Sequence, residues 1–228
     1  MKGKLYGIGV GPGDPELLTL KAVRLIQESD MIALPVLDKE KSVAYQIVKP
    51  VITTLDSKPA IAIDMPMTKD KKKLEESHRI AVDTVKKQLD QGHSIAFLTL
   101  GDPCIYSTYL YVHKQILELG YECEIVSGIP SFCAVSAKLQ MGLVEKAEAL
   151  HVIPASYDIE EALHLSGTKV LMKAGKKIKE VKQQLKDTNQ EAVMIENCGM
   201  EHEVIYHNAH EIPDDAGYYS LIIVKENI

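Results

Sequence analysis

Residues able to do chemistry gather at three glycine-bearing turns. The first is Gly101-Asp102-Pro103, which follows the apolar run Ile95–Leu100 and leads into Cys104 and Tyr106. Glycine lets a ligand approach the backbone closely, Asp102 is a polar group at a strand end, and proline prevents further ladder pairing. Open α/β sheets bind ligands outside the carboxyl ends of their strands, so a strand, turn and helix in this order make a natural site floor. Taken alone, Gly-Asp-Pro is also ordinary turn punctuation. The second turn is Gly7-Ile8-Gly9-Val10-Gly11-Pro12-Gly13-Asp14-Pro15. It imitates a phosphate loop but fails as one. The G-x-G-x-x-G pattern breaks at Pro12 when started from Gly7 and at Asp14 when started from Gly9, and no G-K-[ST] follows. Asp14 would repel a phosphate at a helix N-terminus; it fits an N-cap, with Pro15 in the first helical position. The alternating glycines therefore bring backbone close to something that need not be anionic. The third turn, Ser127-Gly128-Ile129-Pro130-Ser131, again ends a strand and opens a helix.

Other chemistry is poorly supported. His202, His207 and His210 lie near Glu201, Glu203 and Glu211, but no H-E-x-x-H pattern occurs, so no metal site is expected. Cys104, Cys123, Cys133 and Cys198 show no C-x-x-C spacing and fit scattered reduced thiols of a cytoplasmic protein. Cys104 has no histidine close in sequence, which favours a small buried thiol over a nucleophile. There is no G-x-S-x-G elbow.

The elements that must position these turns alternate. Strands are expected over Lys4–Val10, Asp30–Val36, Ala60–Asp64, Ile95–Leu100 and Glu122–Val126. Helices are expected over Pro15–Glu28, from Ser42 to about Val51, from the Lys69–Lys73 charge run to about Gln91 with Gly92 as the stop, over Ile105–Leu117, and over 131–141. After that come strands Leu150–Pro154, Thr168–Met172, Glu191–Glu196, Val204–His207 and Tyr219–Lys225, with helices over Asp158–Leu165 and from Lys173 to about Lys186. The last two strands have no helix between them. This pattern predicts a parallel α/β domain over 1–120 and a mixed α/β domain over 121–228.

Composition agrees with such a protein. The chain has 228 residues, 46% hydrophobic and 25% charged, enough for a sizeable core. The net charge of −6 argues against a nucleic-acid partner, which needs a basic face. No apolar run is long enough for a membrane span, and the first residues lead directly into a strand without a signal-peptide core.

Together the stretches G-I-G-V-G-P-G-D-P at 7–15, T-L-G-D-P-C-I-Y-S-T at 99–108 and S-G-I-P-S at 127–131 resemble, in order and spacing, the tetrapyrrole methylases. Ala33-Leu34-Pro35, Ser42-Val43-Ala44-Tyr45, Met65-Pro66-Met67-Thr68, Tyr106-Ser107-Thr108 and Gly217-Tyr218-Tyr219-Ser220-Leu221 look like the precorrin-2 / cobalt-factor II C-20-methyltransferase branch. The resemblance implies two α/β domains with S-adenosylmethionine in the cleft between them, a tetrapyrrole substrate on the first domain, and a homodimer. It implies cofactor contacts at Pro12, Leu100, Gly101, Asp102, Ile105, Pro130, Ser131 and Lys173. Asp102 and Tyr106, with Tyr109 beside them, are candidates for removing the proton after methyl transfer, and capping is an equal alternative for Asp102. Lys69–Lys73 and the group Lys173, Lys176 and Lys177 are candidates for the substrate's carboxylates. One departure is that the family commonly has Thr or Ser after P-G-I, where this chain has Pro130, which lacks an N–H. Rival readings are a same-fold methyltransferase acting on another precorrin position, ribosomal RNA or diphthine, and a non-enzymatic tetrapyrrole or cofactor carrier.

Overall fold

The computed structural model describes residues 2–66, 68, 70–154, 159–188 and 190–225. Met67, Lys69 and Asp158, named above, fall outside the described residues, as does the side chain of Lys176. Two compact units are present, residues 1–130 and 131–228.

The first unit is built on a five-stranded parallel sheet: β1 (Lys4–Gly9), β2 (Met31–Leu34), β3 (Ala60–Ala62), β4 (Ile95–Thr99) and β5 (Glu122–Val126), in the order β3-β2-β4-β1-β5. Because β5 pairs with β1, the division falls after β5, later than the break at Gly120 that the sequence predicts. Parallel strands covered on both faces are continuously apolar. β2 and β4 are buried at every position. Alternate residues feed two cores. Ile8, Ile32, Ala96 and Leu98 face α1 (Leu20–Glu28) and α2 (Val43–Val48), while Leu5, Ala33, Ile95 and Phe97 face α3 (Lys71–Asp90) and α4 (Tyr109–Glu118).

In the first unit, α1 and α4 start several residues later than the sequence pattern predicts. Pro15–Leu17 is one turn of 3-10 helix capped by Asp14, and Leu18 is extended. Thr19 then caps α1 by accepting from the Ala22 N–H at 3.1 Å. Two cap-forming side chains therefore split one amphipathic pattern. The helix expected from Ile105 begins at Tyr109, because Tyr106 has φ 47° and a left-handed residue cannot continue a right-handed helix. Asp70 caps α3, Ser42 caps α2, and Gly92, at φ 86°, ends the turn after α3.

The second unit holds a mixed sheet: β6 (Leu150–Pro154), β7 (Thr168–Met172), β8 (Glu191–Glu196), β9 (Val204–Tyr206) and β10 (Ser220–Lys225), in the order β6-β7-β10-β8-β9. Only β6 and β7 run parallel; β10 lies antiparallel between β7 and β8. The hairpin-like end of the sequence is thus β8 and β9, with β10 returning to the sheet centre. Helices α5 (Ser131–Lys138), α6 (Ile159–Leu163) and α7 (Ile178–Asp187) complete the unit. α7 follows a 3-10 turn at Gly175–Lys177 rather than starting at Lys173. Its Ile178, Val181 and Leu185 pack with Leu171, Met194 and Ile222.

Candidate active site

In the first unit the loop after β1 leads to α1 on one face, and the loop after the adjacent β4 leads to α4 on the other. Adjacent strands whose connections depart to opposite faces open a crevice at their carboxyl ends, the usual ligand position in open α/β sheets. All five strands are parallel, so the loops after β1, β4 and β5 meet at this edge.

They meet by main chain. Gly101 N–H donates to Gly11 C=O at 2.8 Å, and Gly11 N–H donates to Gly101 C=O at 3.2 Å. Both glycines are left-handed, φ 79° for Gly11 and 70° for Gly101, a conformation that glycine adopts without a Cβ penalty. A Cβ on Gly9 would lie 2.5 Å from Gly128 N, and one on Gly128 would lie 2.2 Å from Gly101 O. A Cβ on Gly7 would fall 1.9 Å from the Tyr109 ring. Three of the four alternating glycines are therefore accounted for by internal fit and backbone shape. At Gly101 itself the nearest atom to a Cβ position is Ile129 O at 3.9 Å, so no close contact requires glycine there and its left-handed backbone does.

Asp102 is 9% exposed. One carboxylate oxygen accepts from Cys104 N–H at 2.7 Å and the other from Gly128 N–H at 3.0 Å. Its carbonyl accepts from Ile105 N–H at 3.2 Å. Asp102 thus caps the turn after β4, not α4, and ties it to the turn after β5. Leu100, Ile105 and Pro130 are half-buried at the same edge, and Pro12 is buried beside Gly11. Tyr106 is 48% exposed. Tyr109 is instead fully buried, its hydroxyl 2.9 Å from His113 Nδ1, and burial raises its pKa, so it is withdrawn from the surface of the site. Cys104 is exposed, not buried as expected from the sequence; desolvation of its thiol and the Asp102 carboxylate both hold its pKa above the ordinary 9.0, which disfavours the thiolate.

Two exposed apolar residues at this edge carry no sequence signal. Leu20, 90% exposed, opens α1 after the β1 loop, and Leu37, 69% exposed, follows β2. Nothing in a residue list distinguishes them from core leucines. Beyond them, Lys71, Lys72 and Lys73 are exposed in the first turn of α3.

In the second unit, Ser131 is the first residue of α5. Lys173 follows β7 with φ 60°, exposed, its Nζ 5.8 Å from the centre of the Tyr218 ring. Among the described residues no group of three or more His, Cys, Asp or Glu side chains could hold a metal ion, and no helix is long and apolar enough to cross a membrane.

The sequence model of the tetrapyrrole (corrin/porphyrin) methylases matches residues 4–212. The chain belongs to this family. A probable cobalt-precorrin-2 C(20)-methyltransferase of Methanocaldococcus jannaschii is 41% identical over 171 residues, which cover 75% of this chain and 72% of that one. The cobalt-precorrin-2 C(20)-methyltransferase of Salmonella typhimurium is 28% identical over 234 residues, covering 99% and 98% of the two chains. Among solved structures, a cobalt precorrin-4 methyltransferase has a TM-score of 0.75 at 19% identity, over 97% of this chain and 94% of that one. A uroporphyrin-III C-methyl transferase of Thermus thermophilus, complexed with S-adenosyl homocysteine, has a TM-score of 0.71 at 19% identity, over 98% of each chain. The structural likenesses establish the fold as that of the tetrapyrrole methylases.

Proposed function

We propose that the protein transfers the methyl group of S-adenosylmethionine to C-20 of precorrin-2 or its cobalt-bearing form, a step of cobalamin synthesis. The observation that carries this reading is the 41% identity, over three quarters of the chain, to the M. jannaschii relative. We assign the cofactor to Pro12, Leu100, Gly101, Asp102, Ile105 and Pro130 of the first unit, with Ser131 and Lys173 as the second unit's contributions. The edge fits such a group: a Cβ at Gly101 would meet no close atom, whereas Gly9 and Gly128 are closed by main chain and Gly7 by the Tyr109 ring. When bound, the cofactor supplies an electrophilic methyl on a sulfonium that departs neutral.

The residues of the chain act mainly by holding the reactants. Orientation of this kind can lower a barrier by about 7–11 kcal/mol. The macrocycle is a flat apolar ring with carboxylate arms, and Leu20, Leu37 and Tyr106 offer it an apolar edge on the first unit. Lys71, Lys72 and Lys73 are the cations assigned to its carboxylates, with Lys173 and Lys177 as candidates from the second unit. Tyr106 and Asp102 are the two candidates for the proton that leaves C-20. The reading further takes the protein to be a cytoplasmic homodimer without a nucleic-acid partner; the net charge of −6 favours the last point.

The test is anaerobic incubation with labelled S-adenosylmethionine and precorrin-2, with and without inserted cobalt, read by mass. One added methyl on one of the two forms is expected, and the form that accepts it identifies the substrate. No transfer to either, with the cofactor bound, would overturn the C-20 reading in favour of another substrate of the same fold.

A further inference from the structure

The geometry separates the two proton candidates. We infer that Asp102 is a positioning residue, a latch that holds the turns after β4 and β5 together, and that it does not take the proton. This inference rests on the proposed methyl transfer for its kinetic meaning, but its structural content stands alone.

Both carboxylate oxygens already accept main-chain N–H groups, Cys104 at 2.7 Å and Gly128 at 3.0 Å. The residue is 9% exposed and Gly128 is buried. A carboxylate accepting two N–H bonds is held by charge-assisted bonds, and a proton on either oxygen would remove the charge that strengthens both. A base whose proton uptake loosens its own scaffold is poorly suited to the task. The latch has a clear object. Gly128 meets Gly9 and Gly101 so closely that none of the three turns can shift without the others, and the Asp102 side chain bonds across two of them. Gly128 also begins the segment Gly128-Ile129-Pro130 that ends the first unit. Tyr106, on the same turn, is exposed and left-handed and is the remaining candidate for the proton.

The test compares Asp102→Asn with the wild-type chain. A carboxamide accepts at its oxygen only and turns an NH₂ toward one of the two amides. Three readouts apply: hydrogen exchange at the Gly128 amide, S-adenosylhomocysteine affinity by calorimetry, and the pH profile of kcat. The latch predicts Gly128 exchange at least about tenfold faster, from loss of a bond to a charged group. It also predicts weaker S-adenosylhomocysteine binding, and a lowered kcat with an unaltered pH profile. Unchanged Gly128 exchange, or retained affinity with a kcat profile that has lost one limb, would overturn it. If the variant does not fold, the wild-type chain decides: a through-hydrogen-bond NMR coupling between the Gly128 amide nitrogen and the Asp102 carboxyl carbon supports the latch, and its absence overturns it. A wild-type chain that binds no S-adenosylhomocysteine would count against the proposed function alone, while Gly128 exchange would still decide the latch.

Discussion

Replacing Gly128 by alanine tests whether three loops are joined by contact. Gly128 is not among the glycines with positive φ, so its backbone does not demand glycine; space does. An added Cβ would lie 2.2 Å from Gly101 O, 2.7 Å from Gly9 C and 2.8 Å from Gly9 Cα. Real Cβ atoms essentially never approach closer than 3.0 Å, so the loops must part by at least the difference, about 0.8 Å. All three obstructing atoms are backbone and cannot swing aside as a side chain would. Overpacking of this kind costs about 1–3 kcal/mol. Parting the loops also strains the Asp102 to Gly128 bond, worth roughly 1.5–3 kcal/mol as a bond to a charged group. The expected loss is therefore about 2.5–6 kcal/mol. Urea unfolding followed by tyrosine fluorescence measures it, since the chain has ten tyrosines and no tryptophan. Gly120→Ala is the control: φ is 78° and nothing lies within 4 Å of a Cβ, so only the left-handed backbone is penalised, by about 1–2 kcal/mol. S-adenosylhomocysteine affinity should fall for Gly128→Ala and stay unchanged for Gly120→Ala. A Gly128→Ala chain within about 0.5 kcal/mol of wild type, with unchanged affinity, would refute the close packing of the three turns.

Tyr109 gives a graded prediction. Tyr109→Phe keeps the ring under Gly7 and loses the bond to His113, about 1 kcal/mol. Tyr109→Ala empties a fully buried site and should cost about 3–5 kcal/mol; equal losses in urea unfolding would show that the ring does not support β1. Glu124 is held down to about 2 by side-chain hydrogen bonds from Lys21 and Lys4, against an ordinary 4.5. A carboxylate lowered by folding stabilises the fold above its unfolded pKa, and that contribution is lost as pH falls from about 4.5 toward 2. Glu124→Gln should therefore be less stable than wild type at pH 7, with the difference fading toward pH 2; a pH-independent difference would show that the ion pairs are not its source. The triple change Lys71→Ser, Lys72→Ser, Lys73→Ser should weaken tetrapyrrole binding, most at low salt, and leave S-adenosylhomocysteine affinity intact; unchanged tetrapyrrole binding would remove these cations from the site.

The strands β2 and β4 of the first sheet were legible because a strand covered on both faces is a continuous apolar run, as in Met31–Leu34 and Ile95–Thr99. Caps were legible for the same local reason: Asp14, Ser42 and Gly92 act within a few residues of themselves. The start of α4 was not legible. Ile105–Leu117 has helical spacing, but the left-handed Tyr106 lies within a turn held by Asp102, whose partner Gly128 is distant in sequence. The same limit hid the roles of Gly7 and Gly9. Their alternation was visible, while the Tyr109 ring and the Gly128 backbone that require it come from other elements. The division between units was misplaced because nothing local to β5 reveals that it pairs with β1. Exposure of Leu20 and Leu37 was equally invisible, since a leucine carries no mark of which side of a helix end it will occupy.

The most direct measurement is the position of the transferred methyl. Isotope-labelled S-adenosylmethionine is incubated anaerobically with the protein and whichever of precorrin-2 or cobalt-precorrin-2 is accepted, and the product is analysed by NMR. A single labelled methyl bonded to C-20 is the predicted result. A label on any other ring carbon, or on an oxygen or nitrogen, would contradict it.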